Sequence, residues 1–223
     1  MSTLVIDIET GPLPDDVLLS IYPWKQEDVK LGALKDPEKI QAKILDDANG
    51  HLDAIREKAA LNPWTGRVLA IGVGENGGEP ITFDVGDEYD EKKLLETWWA
   101  IAFDPHNKPN KIVGWGIKEF DIPYLIRRSW ANKITVPQIF MPKDGRYWGP
   151  FIKDMRDTWS CGIWKPSGTL DEVSAMLGVG RKNGNGADFA NLFATDRGAA
   201  LDYLRNDVKM TQGVYNRLEN HDY

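Results

Sequence analysis

A chain of 223 residues, 42% hydrophobic and 27% charged, is long enough for one full core and has the balance of a globular protein. Its formal net charge of −7 argues against holding nucleic acid by bulk electrostatics, yet leaves room for an enzyme whose acids are neutralised locally by metal ions. Cys161 is the single cysteine, which excludes an internal disulfide and zinc–cysteine clusters, and no apolar run approaches about 18 residues, so no membrane span is expected. No basic stretch followed by an apolar one opens the chain, and a cytoplasmic location is the expectation. Nine tryptophans are enough that some should line a surface or cleft.

Residues 3–9 read as the first strand, ended abruptly by Thr10-Gly11-Pro12. Side chains alternate across a strand, so Asp7 and Glu9 share one face while Ile6 and Ile8 take the other. Two carboxylates separated by two strand rises, roughly 7 Å, can share a divalent cation. Alone, the pair also reads as an edge strand with a solvated acidic face. Residues 12–30 hold Pro12, Pro14 and Pro23 and read as loop. Residues 36–61 are charged and helical in pattern, with one stripe of Ile40, Ile44 and Leu45, an interruption at Asn49-Gly50, and a second stripe of Leu52, Ile55 and Ala59. They predict a helical insertion, spanning about 24–62, between the first two strands: a solvated cover or a lid over substrate.

Strands follow at 67–74 and 80–85, joined by the hairpin chemistry of Glu75-Asn76-Gly77-Gly78. Gly72 to Gly77 matches G-x-G-x-x-G literally, but a strand and not a helix comes next, so no dinucleotide loop is expected. An amphipathic helix at 90–103, a buried strand at 111–115 and a helix at 122–131 come next. Residues 137–150 are a Pro, Gly and aromatic loop, and 151–159 hold a fifth strand, with Asp157 after it as a structural anchor. Helices are predicted near 169–177, 187–194 and 198–219. The order predicts an α/β fold, a mixed five-stranded sheet flanked by helices, in one domain over 1–223.

Two more acids stand out. In the last helix Ala200, Tyr203, Leu204, Asp207, Val208, Thr211, Val214, Tyr215 and Leu218 fall on one face, and Asp207 interrupts that apolar stripe. A buried aspartate must be paired, hydrogen-bonded or metal-bound. Asp121 precedes Ile122-Pro123 at the start of a helix, where it reads as an N-cap, a role compatible with a metal because a carboxylate has two oxygens.

Taken together, Asp7 and Glu9 on the first strand, Asp121 at a helix start, and Asp207 preceded four residues earlier by Tyr203 resemble the DEDD, or DnaQ-like, superfamily of 3′→5′ exonucleases with a ribonuclease-H-like fold. The tyrosine resembles the DEDDy branch; the histidine branch would want histidine at position 202, which is Asp202, and His51, His106 and His221 are badly placed for that role. Residues 120–125, Phe-Asp-Ile-Pro-Tyr-Leu, resemble the second exonuclease motif of family B DNA polymerases, and Thr169-Leu170-Asp171-Glu172-Val173 resembles the helix before their third. Residues 35–40 and 59–63, with Gly66-Arg67, are similar to stand-alone exonucleases of phages and bacteria, so the resemblance covers nearly the whole chain. One departure is Gly116, where the polymerase motif usually carries asparagine.

The resemblance implies metal-dependent hydrolysis of the 3′-terminal phosphodiester of single-stranded DNA, releasing nucleoside 5′-monophosphates. It implies two divalent cations, Mg²⁺ or Mn²⁺, with Asp7, Glu9 and Asp207 holding the first, Asp7 bridging, and Asp121 serving the second. Tyr203 would orient the attacking water. Thr10, Gly11 and Phe120 flank the acids and are candidate contacts to the terminal nucleotide; Arg146-Tyr147-Trp148 and Arg181-Lys182 are candidate guides for the strand. The cell implied is a bacterium or one infected by a phage. The acids do not distinguish DNA from RNA, which depends on contacts to the 2′-hydroxyl. A non-catalytic binding module or polymerase accessory subunit would keep the same fold, and no residue identifies a replication or repair partner.

Overall fold

A computed structural model of the protein describes residues 2–104, 109–145, 147–163 and 168–220. His106, Arg146 and His221 lie outside the described residues. The chain divides into two compact units, one of residues 1–10 with 68–223 and one of residues 11–67.

The first strand, β1 (Thr3–Pro12), buries Leu4, Val5, Ile6 and Ile8, and over residues 6–9 it alternates, leaving Asp7 and Glu9 half open. The second unit then holds α1 (Asp15–Ile21) and α2 (Pro37–Ala59). Helix α1 corrects the expectation of an unbroken loop over 12–30: Pro14 sits just before the helix, Asp15 and Asp16 occupy its first turn, and Leu18 is its one buried residue. Seven residues between prolines are too short for a periodic pattern to show. Helix α2 runs without a break through Asn49-Gly50, a second correction. Ile40, Ile44, Ala48, Leu52, Ile55 and Ala59 stay in phase along one face, and Gly50 points into open space, so its cost of about 1 kcal/mol is tolerated. Arg56 of α2 pairs with Asp15 of α1, and Leu13 N–H donates to the Thr65 carbonyl at 2.9 Å, closing the unit on itself.

The first unit continues with β2 (Gly66–Glu75), β3 (Ile81–Asp84), α3 (Glu91–Ala102), β4 (Lys111–Gly114), α4 (Asp121–Ala131), β5 (Ile152–Asp154) and α5 (Met155–Ser160). It ends with α6 (Leu170–Met176), α7 (Phe189–Thr195) and α8 (Arg197–Tyr215). The strands form one mixed sheet in the order β3-β2-β1-β4-β5. Strand β4 runs parallel to β1, with Val5 beside Val113, and β5 parallel to β4, with Ile112 beside Ile152. Strand β3 is antiparallel to β2 across a turn whose Asn76 and Gly77 both adopt positive φ, 51° and 77°. The fold is that of a ribonuclease-H-like α/β domain.

The G-x-G of β2 serves packing. A Cβ on Gly72 would come within 2.7 Å of Val208 Cγ2, and one on Gly74 within 2.5 Å of Gln212 Nε2, so the two glycines let α8 lie directly on the strand. In an open sheet, ligands bind beyond the carboxyl ends of strands where successive connections leave in opposite directions. Central β1 and its neighbour β4 form that point here, because the chain passes from β1 to β2 on one side and from β4 to β5 on the other.

Candidate active site

Asp7 and Glu9 project from one face of β1, and Asp207 comes from the buried stripe of α8. One carboxylate oxygen from each of these three lies within 4.8 Å of the others. Asp121 joins them through the backbone: its Oδ1 accepts the Ile8 N–H at 3.0 Å, between the two acids of the strand. This corrects the N-cap reading. The cap residue of α4 is Phe120, Asp121 is the first helical residue, and its carboxylate turns across to β1.

Tyr203, one turn before Asp207, is buried with its ring against Phe189 at 6.3 Å between centroids. The segment between α6 and α7 closes over it. A Cβ on Gly184 would fall 2.7 Å from Tyr203 Cδ2, and one on Gly186 only 3.3 Å from its hydroxyl. From that segment Lys182 reaches into the acids. Its Nζ donates to Asp207 Oδ2 at 2.5 Å and to the Tyr203 hydroxyl at 2.9 Å, and lies 5.2 Å from the centre of the tyrosine ring. Sequence reasoning placed Lys182 only as a surface guide. The signal for its real position was the glycine-rich 180–186 run, whose small residues permit a close approach to Tyr203.

The electrostatics are those of too many acids for one cation. Burial, then Asp121, Glu9 and Asp207, push the Asp7 carboxyl well above the usual carboxylate range. Burial and Asp207 push Glu9 to about 8, and burial takes Asp121 to about 7 against the lowering effect of its backbone hydrogen bonds. Burial alone would depress Lys182, but its hydrogen bonds to Asp207 and Tyr203 raise it, so the ammonium stays charged. Burial raises the Tyr203 phenol, which is therefore protonated at neutral pH. Asp207 Oδ1 is buried with no hydrogen-bond partner among the described residues. An unpaired, buried carboxylate oxygen beside two converging carboxylates fits an oxygen-binding hard cation such as Mg²⁺ or Mn²⁺.

The acids open into a cleft of about 570 Å³ lined by Asp7, Asp121, Asp207, Lys182, Phe120 and Arg156, with Trp115 also in its wall. A larger cavity of about 620 Å³, lined by Asn76, Asn110 and Gln212 among others, shows no carboxylate in its lining and offers no such ligand set. Phe120 packs on Tyr124 at 5.2 Å between ring centroids, and Thr10 is hydrogen-bonded to the same tyrosine. Gly11 is buried at the start of the second unit. Tyr147 is exposed and Trp148 half-buried, and neither is among the cleft residues.

Asp154, which sequence reasoning missed, orders the approach to Asp121. Its carboxylate accepts Gly116 N–H at 2.9 Å, Lys118 N–H at 3.1 Å and Arg156 N–H at 2.9 Å. Asp157 adds a 2.8 Å ion pair to Lys118 from the next turn. Gly116 has φ +73°, a left-handed conformation that favours glycine.

A family described as predicted 3′-5′ exonucleases related to the exonuclease domain of PolB matches residues 67–222, a span that includes Asp121, Lys182, Tyr203 and Asp207 and leaves out β1. Among solved structures, the chain is similar to the family B DNA polymerase of the hyperthermophilic archaeon Pyrobaculum calidifontis, with a TM-score of 0.62 and 17% identity. That likeness covers 98% of this chain and 24% of the polymerase, so the chain spans about a quarter of that protein, and at this identity what is shared is the fold. No curated protein matches. No helix among the described residues is long and apolar enough to cross a membrane.

Proposed function

Because the chain belongs to the family of predicted 3′-5′ exonucleases related to the exonuclease domain of PolB, we propose that it shortens single-stranded DNA from the 3′ end, one nucleoside 5′-monophosphate at a time. The observation that carries this reading is the convergence of Asp7, Glu9 and Asp207 within 4.8 Å, with one Asp207 oxygen left unpaired among the described residues. The whole chain acts as one exonuclease domain with the helical segment as an insertion, in the cytoplasm of a bacterial or phage-infected cell.

Asp7, Glu9 and Asp207 would hold one divalent cation and Asp121, with Asp7, would serve a second, both Mg²⁺ or Mn²⁺. When bound, such cations lower the pKa of the attacking water and stabilise the leaving 3′-oxygen. The chain's own groups do the rest. Tyr203, kept protonated by burial, orients the water through its hydroxyl and is too weak an acid to serve as its base at neutral pH. Lys182 fixes that hydroxyl by donating to it at 2.9 Å and offsets part of the carboxylate charge. Phe120, in the wall of the cleft, offers the splayed terminal base an aromatic surface, with Thr10 and Gly11 as further contacts to the terminal nucleotide. Oxygen from water bonds to phosphorus as the bond from phosphorus to the 3′-oxygen breaks; the water releases one proton to solvent and the departing 3′-oxygen takes one up from solvent.

The test is incubation with DNA and RNA single strands labelled at the 5′ end, in Mg²⁺, Mn²⁺ or EDTA. The expected result is a ladder of DNA shortened stepwise from the 3′ end, absent in EDTA. Degradation that persists in EDTA, or that removes the 5′ label first, rejects the reading.

A further inference from the structure

We propose that Arg156 is the residue of the cleft that grips a backbone phosphate of the strand being shortened, an inference that rests on the exonuclease reading above. The lining of the cleft includes five carboxylates, those of Asp7, Glu119, Asp121, Asp171 and Asp207, against two cations, Lys182 and Arg156. A polyanion entering such a cleft needs positive charge that is not already committed. Lys182 is committed, with its ammonium shared between Asp207 and the Tyr203 hydroxyl.

Arg156 is held more loosely. Nη1 donates to Glu119 Oε2 at 3.1 Å, and its remaining guanidinium donors have no partner among the described residues. Glu119 is 78% exposed and Arg156 38%, so the pair is a surface one that contributes little and exchanges readily. A phosphate oxygen can take the place of the Glu119 oxygen, and the planar fork then offers a second parallel donor. The base of the side chain is fixed. The backbone N–H of Arg156 donates to Asp154 Oδ1, and the same carboxylate holds Gly116 and Lys118 on the segment that leads into Asp121. The guanidinium is thereby placed in register with the metal-binding acids.

The molecule supplies its own control. A second ion pair, Lys118 Nζ to Asp157 Oδ2 at 2.8 Å, bridges the same two segments, yet neither of its residues is among those lining the cleft. If the Arg156–Glu119 pair is only a strut, the two pairs should behave alike.

The experiment measures kcat and KM on a short oligodeoxythymidylate across a range of salt concentrations, with thermal melts of each variant. Arg156→Gln is expected to raise KM about tenfold with kcat nearly unchanged, the loss of one charge-assisted contact. The salt slope of log(kcat/KM) should become shallower by about 0.7, the single-strand value for one phosphate contact. Lys118→Gln should leave KM and slope as in the wild type. Glu119→Gln should lower KM by freeing the guanidinium. Arg156→Lys should keep the slope while recovering only part of the KM, since it restores charge without the fork. An unaltered slope in Arg156→Gln, or equal effects of Arg156→Gln and Lys118→Gln, overturns the proposal while exonuclease activity stands. A wild type that leaves the oligonucleotide intact rejects the exonuclease reading itself.

Discussion

Two clusters of buried charge lie in the same unit of this molecule and are built on opposite plans. Glu91 and Arg128 are 7% and 8% exposed and matched one to one. Glu91 Oε1 accepts Val68 N–H and Arg128 Nε, and Oε2 accepts Arg128 Nη2 at 2.7 Å and Asn132 Nδ2, so both oxygens are satisfied. The second cluster sets Asp7, Glu9, Asp121 and Asp207 against Lys182 and leaves an Asp207 oxygen unpaired. Desolvated charge is costly in both places. Only the first is offset within the chain, which marks it as architecture. The second is left short of positive charge, and that shortfall is what a divalent cation and a polyanionic substrate can fill. Stability is commonly given up in this way where chemistry needs it.

The sharpest test of the contrast removes one acid from each cluster. Asp207→Asn takes away a proposed metal ligand with almost no change of volume. Turnover should fall on the order of 10³-fold or more. The metal-free melting temperature should be unchanged or higher, because the carboxylate excess shrinks and Lys182 remains beside Asp7 and Glu9, both of which already feel its charge. The rise in melting temperature on adding Mn²⁺ should also shrink, as ligand stabilisation follows affinity for the folded state. A marked loss of metal-free stability would make Asp207 the structural partner of Lys182 and dissolve the contrast.

Glu91→Gln should do the reverse. It strands the Arg128 guanidinium in the interior at a cost of about 3–5 kcal/mol, seen as a lower denaturant midpoint. Activity per folded molecule should stay within about twofold, since Glu91 touches neither the acids nor the cleft. A specific loss of turnover in folded Glu91→Gln protein would show that the two clusters are linked.

How much of this could be read beforehand follows from the same physics. Strand alternation places Asp7 with Glu9, and the 3.6-residue stripe of α8 places Asp207 and Tyr203 inward, so these positions were legible from periodicity alone. The five strands and the hairpin at Asn76-Gly77 were legible for the same reason. Asp121 was found but its local role was misread, because a cap and a bond to a distant strand look alike in a sequence. Lys182 and Asp154 were not legible as site residues. Each acts through tertiary contacts from short or irregular segments, the loop before α7 and the end of the three-residue β5, where no period exists to give direction. Likewise Glu91 and Arg128, 37 residues apart, show nothing of their pairing in the sequence.

Tyr203→Phe probes the overloaded cluster without touching its charge. Only a hydroxyl is lost, so Lys182 keeps Asp207 and the metal-induced rise in melting temperature should remain as in the wild type. Turnover should fall about 10²-fold, the usual worth of a positioned proton-bearing group. Measured single-turnover rates that match the wild type would reduce Tyr203 to a packing residue against Phe189.

The smallest effect is a pH dependence, and it separates the clusters without any substitution at the acids. Glu9 is raised from 4.5 to about 8 and Asp121 from 3.8 to about 7, both chiefly by burial, and Asp7 moves the same way. In the unfolded chain these carboxyls lose their protons near pH 4, while in the folded, metal-free protein Asp121 keeps its proton until about pH 7 and Glu9 until about pH 8. Between those limits the native state binds more protons than the unfolded one, so stability falls as pH rises. The part contributed by Asp121 and Glu9 is complete below the unfolded values and gone above about pH 8. Asp207, Lys182 and Asp154 face the same groups: the Asp207 and Asp154 charges raise them, and the Lys182 charge lowers Asp7 and Glu9. Saturating Mg²⁺ should flatten the curve, because cations bind the deprotonated carboxylates and are favoured as protons leave. Denaturant midpoints of the EDTA-treated protein from pH 5 to 9 give the measurement. Glu91→Gln should lower that curve without changing its shape, since the matched pair adds nothing to the excess of acids. A metal-free protein whose stability climbs steadily from pH 5 to 8 would show instead that the four carboxylates are stabilised in their charged form, and that the shortfall of positive charge on which the contrast rests is not there.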